Sequence, residues 1–140
     1  MVRLVSISAF RTALEALLSV KRSVYAGVVA EICKAFRGVS IEQIRANRDM
    51  ILMDNDSCVI KLRLPDKKQH LSKADGYRLV YMVMKNTPVA VLLTIYPKRG
   101  PMQKLALEAN ELERLLNTFK TEFENREIVV HDTDTLRELV

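Results

Sequence analysis

Four apolar segments between residues 50 and 96 constrain the fold of this chain most strongly. Each is short, and polar turn-forming residues separate it from the next. Segments of this kind predict an antiparallel meander. The links 54–56 and 85–88 have the composition of hairpin turns, whereas the longer link, 65–76, predicts an exposed basic loop. The four predicted strands are 50–53, 58–64, 77–84 and 89–96.

Two amphipathic helices are predicted before this meander. A short strand, 2–7, is followed by apolar residues at helical spacing, and Ser8 is expected to be the N-cap of the first helix. Ser23 is expected to open the second helix, which Gly38 ends. We expect the two helices to form an antiparallel hairpin, because their apolar stripes need a sheet to pack against.

A third helix and a last strand are predicted after the meander. The helix runs from Gln103 to about Lys120, with Leu105 among the residues available for burial, and the strand is 127–130. The whole pattern predicts an α+β fold. In it, an antiparallel sheet carries the N-terminal helical hairpin and the C-terminal helix on one face.

Positive charge is concentrated in the meander and the residues that follow it. Ten Lys or Arg residues lie between residues 61 and 104, against two acids, Asp66 and Asp75. Several of these cations stand alone on predicted strands, where a charge is rarely placed without a use. This region therefore predicts a surface that binds a polyanion, of which nucleic acid is the commonest. The ten cations are Lys61, Arg63, Lys67, Lys68, Lys73, Arg78, Lys85, Lys98, Arg99 and Lys104.

The end of the chain has the opposite charge. Residues 1–106 carry 18 bases and 8 acids, whereas residues 107–140 carry 4 bases and 9 acids. We expect one domain, 1–140, in which residues 121–140 form an acidic C-terminal extension. We expect this extension mainly to complete the sheet. The alternative is a regulatory role, in which 128–130 offers an edge strand to a partner.

Cysteine usage and hydropathy favour a cytoplasmic protein. Cys33 and Cys58 lack the spacing of a zinc site, so both are expected to be buried thiols in a reducing compartment. No apolar run approaches the roughly 20 residues that cross a bilayer. We therefore predict a soluble protein of the cytoplasm.

Three stretches of the sequence resemble the RelE/HigB-type toxins of bacterial type II toxin–antitoxin systems, which belong to the RelE/ParE superfamily. They are CVIKLRL at 58–64, SKADGYRLVY at 72–81 and LLTIYPKR at 92–99. The order of the predicted elements is also similar. The resemblance implies an endoribonuclease that cuts mRNA, usually on the translating ribosome, without a metal or other cofactor. It also implies a cognate antitoxin that holds the enzyme inactive.

The resemblance implies catalytic roles for five cations. Lys61 and Arg63 match strand positions that hold phosphate-contacting cations and a candidate proton acceptor. Arg78 matches the main arginine for the scissile phosphate. Lys98 and Arg99 match the Lys-Arg pair after the next strand, with Arg99 the better candidate for stabilising charge. We expect Arg78 and Arg99 to lie on a concave basic face and not in the core.

Five further residues are expected to bind RNA. Lys73 matches a lysine that precedes the GYR motif in HigB-like members, and Tyr96 is a candidate platform for stacking a base. Lys67 and Lys68, in the long loop, and Lys104 add positive charge for phosphates. This longer loop makes the chain resemble the HigB-like branch more than RelE itself.

Two positions depart from the RelE pattern. Val59 stands where RelE-like members have a further lysine, and Leu105 falls about where some carry a catalytic or stacking tyrosine. His70 is a weaker candidate acid or base, and Tyr77 and Tyr81 are expected to pack in the core.

Two other functions remain open from the sequence. One is a ParE-like toxin, which shares the fold but inhibits DNA gyrase by protein–protein binding. The other is a non-catalytic module that binds nucleic acid through its charge.

Overall fold

The protein is an α+β structure built on one six-stranded sheet. The computed structural model describes residues 2–45, 50–54, 56–84 and 86–139. Across the sheet the strand order is β2-β3-β4-β5-β1-β6. Along the chain the elements are β1 (Arg3–Ser6), α1 (Ser8–Leu18), a 3₁₀ turn (Lys21–Ser23), α2 (Val28–Phe36), α3 (Ile41–Arg45), β2 (Met50–Met53), β3 (Ser57–Leu64), β4 (Tyr77–Met84), β5 (Val89–Pro97), α4 (Glu111–Glu124) and β6 (Val129–His131).

The predicted meander is confirmed, since β2 to β5 differ from the predicted bounds by at most one residue. Each neighbouring pair within it is antiparallel. In the first turn, the Asp54 carboxylate accepts hydrogen bonds from the backbone N–H groups of Asp56 and Ser57. Two residues of the predicted turns, Asn55 and Lys85, lie outside the described residues.

The prediction of an antiparallel sheet is wrong in one pairing. β1 lies beside β5 and runs parallel to it, with Arg3 opposite Val89 and Ser6 opposite Leu92. Parallel neighbours need a long connection, and here the helices and the first strands of the meander separate β1 from β5 in the chain. The sheet is therefore mixed.

Helices cover both faces of the sheet, so the prediction that they share one face is also wrong. Alternate residues of β4 point in opposite directions, and every residue of 77–83 is buried. Tyr77 and Tyr81 pack in one cluster with Phe10 of α1 and Ile32 of α2. Val80 packs on the other face with Leu115 of α4. Because β4 is apolar on both sides, each side requires its own cover.

A carboxylate from α4 completes the start of α1. Ile7 holds the N-cap position, and Ser8, the predicted cap, is the first helical residue. Glu122 accepts hydrogen bonds from the Ser8 backbone N–H, at 2.8 Å, and from the Ser8 hydroxyl. Glu122 is buried there, where its negative charge faces the positive end of the α1 dipole.

Two helices begin later than predicted. Ser23 ends a 3₁₀ turn, and α2 starts only at Val28. The C-terminal helix starts at Glu111, not at Gln103, because the Gln103 and Lys104 N–H groups donate to backbone carbonyls at the end of β5 and the turn after it. As a result Leu105 is 68% exposed, so its predicted burial is wrong.

The acidic extension is part of the sheet. β6 pairs antiparallel with β1, and His131 and Leu136 are buried. The His131 Nδ1 atom donates to the Leu136 carbonyl, and Nε2 accepts from the Ser6 hydroxyl at 2.6 Å. The Leu139 N–H donates to the Val130 carbonyl, so the end of the chain covers part of the edge proposed for a partner.

Within the described residues, no helix has both the length and the apolar character needed to span a bilayer.

Candidate nucleic-acid interface

A row of side chains crosses the α4 face of the sheet near the ends of three strands. Arg63 of β3 lies opposite Arg78 of β4, and Arg78 lies opposite Tyr96 of β5. Lys61 stands two residues before Arg63, so it projects from the same face. Lys98 follows directly after β5. The meander thus brings together residues that are up to 37 positions apart in the chain.

The pKa of Lys98 reflects the positive charges around it. Partial burial lowers the pKa of Lys98, and the positive charges of Arg78, Lys61 and Arg99 lower it further. The Lys98 ammonium also donates a hydrogen bond to the Leu105 carbonyl. A lysine with a lowered pKa spends more of its time neutral at physiological pH, which suits it to proton transfer.

Arg78 is buried, with 7% of its surface exposed, so the expectation that it lies outside the core is wrong. Its Nη1 atom donates to the carbonyls of Lys73, at 2.8 Å, and Tyr77, at 3.1 Å. Its Nη2 atom donates to the Ala74 carbonyl at 2.7 Å. Arg78 therefore fastens the loop before β4 to the sheet, in addition to placing a charge near Lys98.

The glycine of the GYR motif is explained by a close backbone approach. A Cβ atom on Gly76 would lie 2.0 Å from the Leu64 carbonyl oxygen and 2.8 Å from the Asp66 nitrogen. Tyr77 is fully buried on the α2 face, as predicted. The motif thus combines a tight crossing, a core aromatic and the arginine that holds the loop.

Arg99 is the most accessible of the clustered cations. Its Nη2 atom lies 2.8 Å from Asp75 Oδ1, and the two side chains are 50% and 45% exposed. Exposed ion pairs of this kind contribute about 0–1 kcal/mol, because water competes for both partners. A phosphate group therefore displaces Asp75 from Arg99 at little cost.

Lys104 covers the ring of Tyr96. Its ammonium nitrogen is 5.6 Å from the ring centroid and 2.6 Å from Glu111 Oε1. Tyr96 is 5% exposed, and this burial raises the pKa of its hydroxyl. A base stacks on Tyr96 only if Lys104 moves away. The sequence analysis did not identify Glu111, whose role depends on the late start of α4.

The loop cations lie at a second location. Arg63, Lys67 and Lys73 line a pocket beside β3, whereas the Lys68 ammonium donates to the Ser23 carbonyl at 2.6 Å. Arg63 is the one predicted catalytic residue that borders both places. Of the predicted RNA-binding residues, Lys67 and Lys73 thus lie at this pocket, Tyr96 and Lys104 lie together elsewhere, and Lys68 is at neither place.

The remaining candidates have simple structural explanations. Val59 is buried beneath α4, where a lysine would be desolvated. His70 is exposed in the loop. Cys33 and Cys58 are buried, as predicted, and burial raises the pKa of Cys33.

No protein-family model matches this chain, and no curated protein is significantly similar to it in sequence. Across the described residues, no group of three or more His, Cys, Asp or Glu side chains is placed to hold a metal ion. The site is therefore interpreted from its cations and their geometry.

Proposed function

We propose that the protein is a metal-independent mRNA endoribonuclease, the toxin component of a type II toxin–antitoxin system of the RelE/HigB type. The convergence of Lys61, Arg78, Lys98 and Arg99 at the ends of β3, β4 and β5 carries this proposal, since all three neighbours act on the pKa of Lys98. These are four of the five residues that the sequence resemblance assigns to catalysis, the fifth being Arg63. The proposed compartment is the cytoplasm, where mRNA is translated.

The proposed reaction needs stabilisation of negative charge. The 2′-hydroxyl of the substrate attacks the adjacent phosphorus atom, and the bond to the leaving 5′-oxygen breaks. The pentacoordinate phosphorus species between these steps carries more negative charge than the substrate. Arg99 reaches solvent and provides a planar donor for the oxygens of this species, and Lys61 adds charge from β3.

The reaction also needs a proton acceptor for the 2′-hydroxyl and a proton donor for the 5′-oxygen. Lys98 is our candidate for one of these roles, because partial burial and the neighbouring cations lower its pKa, which makes proton release easier. Arg78 acts mainly by position. Its hydrogen bonds hold the loop that contains Asp75, the residue paired with Arg99.

The decisive experiment measures mRNA cleavage in a cell-free translation reaction, with cut sites mapped by primer extension. The wild-type protein should cut translated mRNA, and Arg99→Ala should cut it about 10²–10³ times more slowly. Lys120→Gln removes an exposed charge from the far end of α4 and serves as the matched control. Intact mRNA with the wild-type protein, together with inhibition of DNA gyrase in a supercoiling assay, would instead support the ParE-like alternative.

A further inference from the structure

A surface pocket of about 450 Å³ lies at the edge of β3, on the side away from β4. We call it the β3-edge pocket. Lys34 and Glu31 of α2 form one wall, Arg63 lies in the strand that forms another, and the loop after β3 contributes Lys67 and Lys73. The volume is within the range of sites that bind small ligands or single groups of a polymer.

The pocket lies beside the last residues of β3. Among the described residues, β2 pairs with β3 only as far as Ile60. Arg63 lies directly opposite Arg78 in the sheet. The cluster around Lys98 lies on the α4 face, whereas Leu62 and Leu64 of the pocket belong to the α2 face. A polymer that crosses the cluster therefore reaches the pocket by passing around β3 at Arg63.

Positive charge in the pocket is poorly balanced. Of its titratable lining residues, Lys34, Arg63, Lys67 and Lys73 are cations and Glu31 is the only acid. Among the described residues, none of these four cations forms an ion pair with a carboxylate. Lys34 and Lys67 line the same pocket, and the nearby Lys67 side chain lowers the pKa of Lys34.

Like charges that line one pocket repel each other, and an anion bound among them offsets that repulsion. The pocket is therefore electrostatically complementary to a phosphate group. Its apolar lining, which includes Leu62 and Ala35, gives a ribose or base next to that phosphate a surface to contact.

We infer that the β3-edge pocket binds a phosphate of the RNA strand beside the cleavage site, which makes Lys34 an RNA-binding residue. The inference rests on the proposed function and extends it to a defined path, from Arg99 across Arg78 to the edge of β3. It also changes the role of Arg63 from catalysis to positioning of the substrate. Lys34 lies outside the three stretches that carry the resemblance. It comes 29 residues before Arg63 in the chain, and α2 brings it to the pocket.

The test compares Lys34→Gln and Lys67→Gln with Lys120→Gln. All three residues are exposed, and each substitution removes one positive charge. Binding of a labelled RNA oligonucleotide is followed by fluorescence anisotropy over a range of salt concentrations. We expect the Kd of each pocket variant to rise about three- to tenfold, and the slope of log K against log salt to fall by about 0.7. The control should match the wild type.

Uncharged phosphate analogues identify which phosphate of the RNA lies in the β3-edge pocket. In a series of oligonucleotides, a single methylphosphonate replaces each phosphate around the cut site in turn. The wild type and Lys34→Gln should bind equally when the replaced phosphate is the one in the pocket, and differ at all other positions. In the cleavage reaction, Arg63→Gln and Lys34→Gln should raise the half-maximal protein concentration, whereas Lys120→Gln should not.

Three results overturn the inference. The first is equal RNA affinity of Lys34→Gln and Lys120→Gln at every salt concentration. The second is a methylphosphonate series in which no position removes the difference in affinity between the wild type and Lys34→Gln. The third is a wild-type protein that does not bind RNA. Failure of the proposed function is separate. If the wild-type protein does not cut mRNA but the Lys34 variant shows the expected binding pattern, the pocket stands and the nuclease assignment falls.

Discussion

Two arginines of the candidate site should respond differently to alanine substitution. Arg99 is half exposed and holds one surface ion pair. Arg78 is buried and donates to three backbone carbonyls. We expect Arg99→Ala to reduce cleavage about 10²–10³-fold and to change the free energy of unfolding by less than about 1 kcal/mol. Arg78→Ala should reduce both cleavage and stability.

The size of the Arg78 effect follows from its contacts. The hydrogen bond to the Tyr77 carbonyl is buried, so its loss costs about 1–3 kcal/mol. Lys73 and Ala74 lie in an exposed loop, where water replaces the guanidinium at about 0.5–1 kcal/mol each. The total is about 2–5 kcal/mol. For a domain of this size, that corresponds to a decrease in Tm of roughly 7–17 °C.

Urea unfolding followed by circular dichroism measures the free energy of unfolding, and the cell-free translation reaction measures cleavage. Arg78→Lys is the matched variant, because it keeps the charge but cannot reach three carbonyls with a planar fork. It should lose stability almost as fully as Arg78→Ala. Wild-type stability of Arg78→Ala would refute the structural role that we assign to this residue.

Three further predictions follow from the fold. Gly76→Ala should destabilise the protein by about 2–4 kcal/mol in urea unfolding, because a Cβ would lie 2.0 Å from the Leu64 carbonyl oxygen; normal stability would mean that this crossing is looser than described. Burial lowers the pKa of His131, so the unfolded chain binds its proton more readily and the folded protein should lose stability as pH falls below about 6.5. His131→Gln should reduce this dependence between about pH 7 and pH 5, and an unchanged slope would exclude the burial of His131 as its origin. Deletion of 125–140 removes β6 and should give an aggregated product in size-exclusion chromatography, whereas a folded and more active nuclease would support the regulatory alternative.

The sequence by itself determined the meander. Its strands are specified by side chains that alternate between two faces and by turn residues that separate them, and both signals are local. β2 to β5 accordingly follow the predicted bounds. Because Lys61 and Arg78 are fixed on these strands by the same alternation, their common face was also predictable once the strands were paired antiparallel.

Helix ends were predicted less well, because contacts distant in sequence decide them. The start of α1 depends on Glu122, more than a hundred residues away. α4 begins at Glu111 and not at Gln103 because the backbone before it bonds to the end of β5. A local pattern records which residues favour a helix, but it does not record these competing partners.

Only the tertiary structure decided which elements became neighbours. It placed β1 parallel to β5, put α4 on the face opposite α1 and α2, and buried Arg78 beneath the loop that it holds. It also brought Lys34 of α2 to the pocket at the edge of β3. In each case the free energy comes from burial or hydrogen bonding between segments far apart in the chain, and the local sequence pattern carries no signal of such pairs.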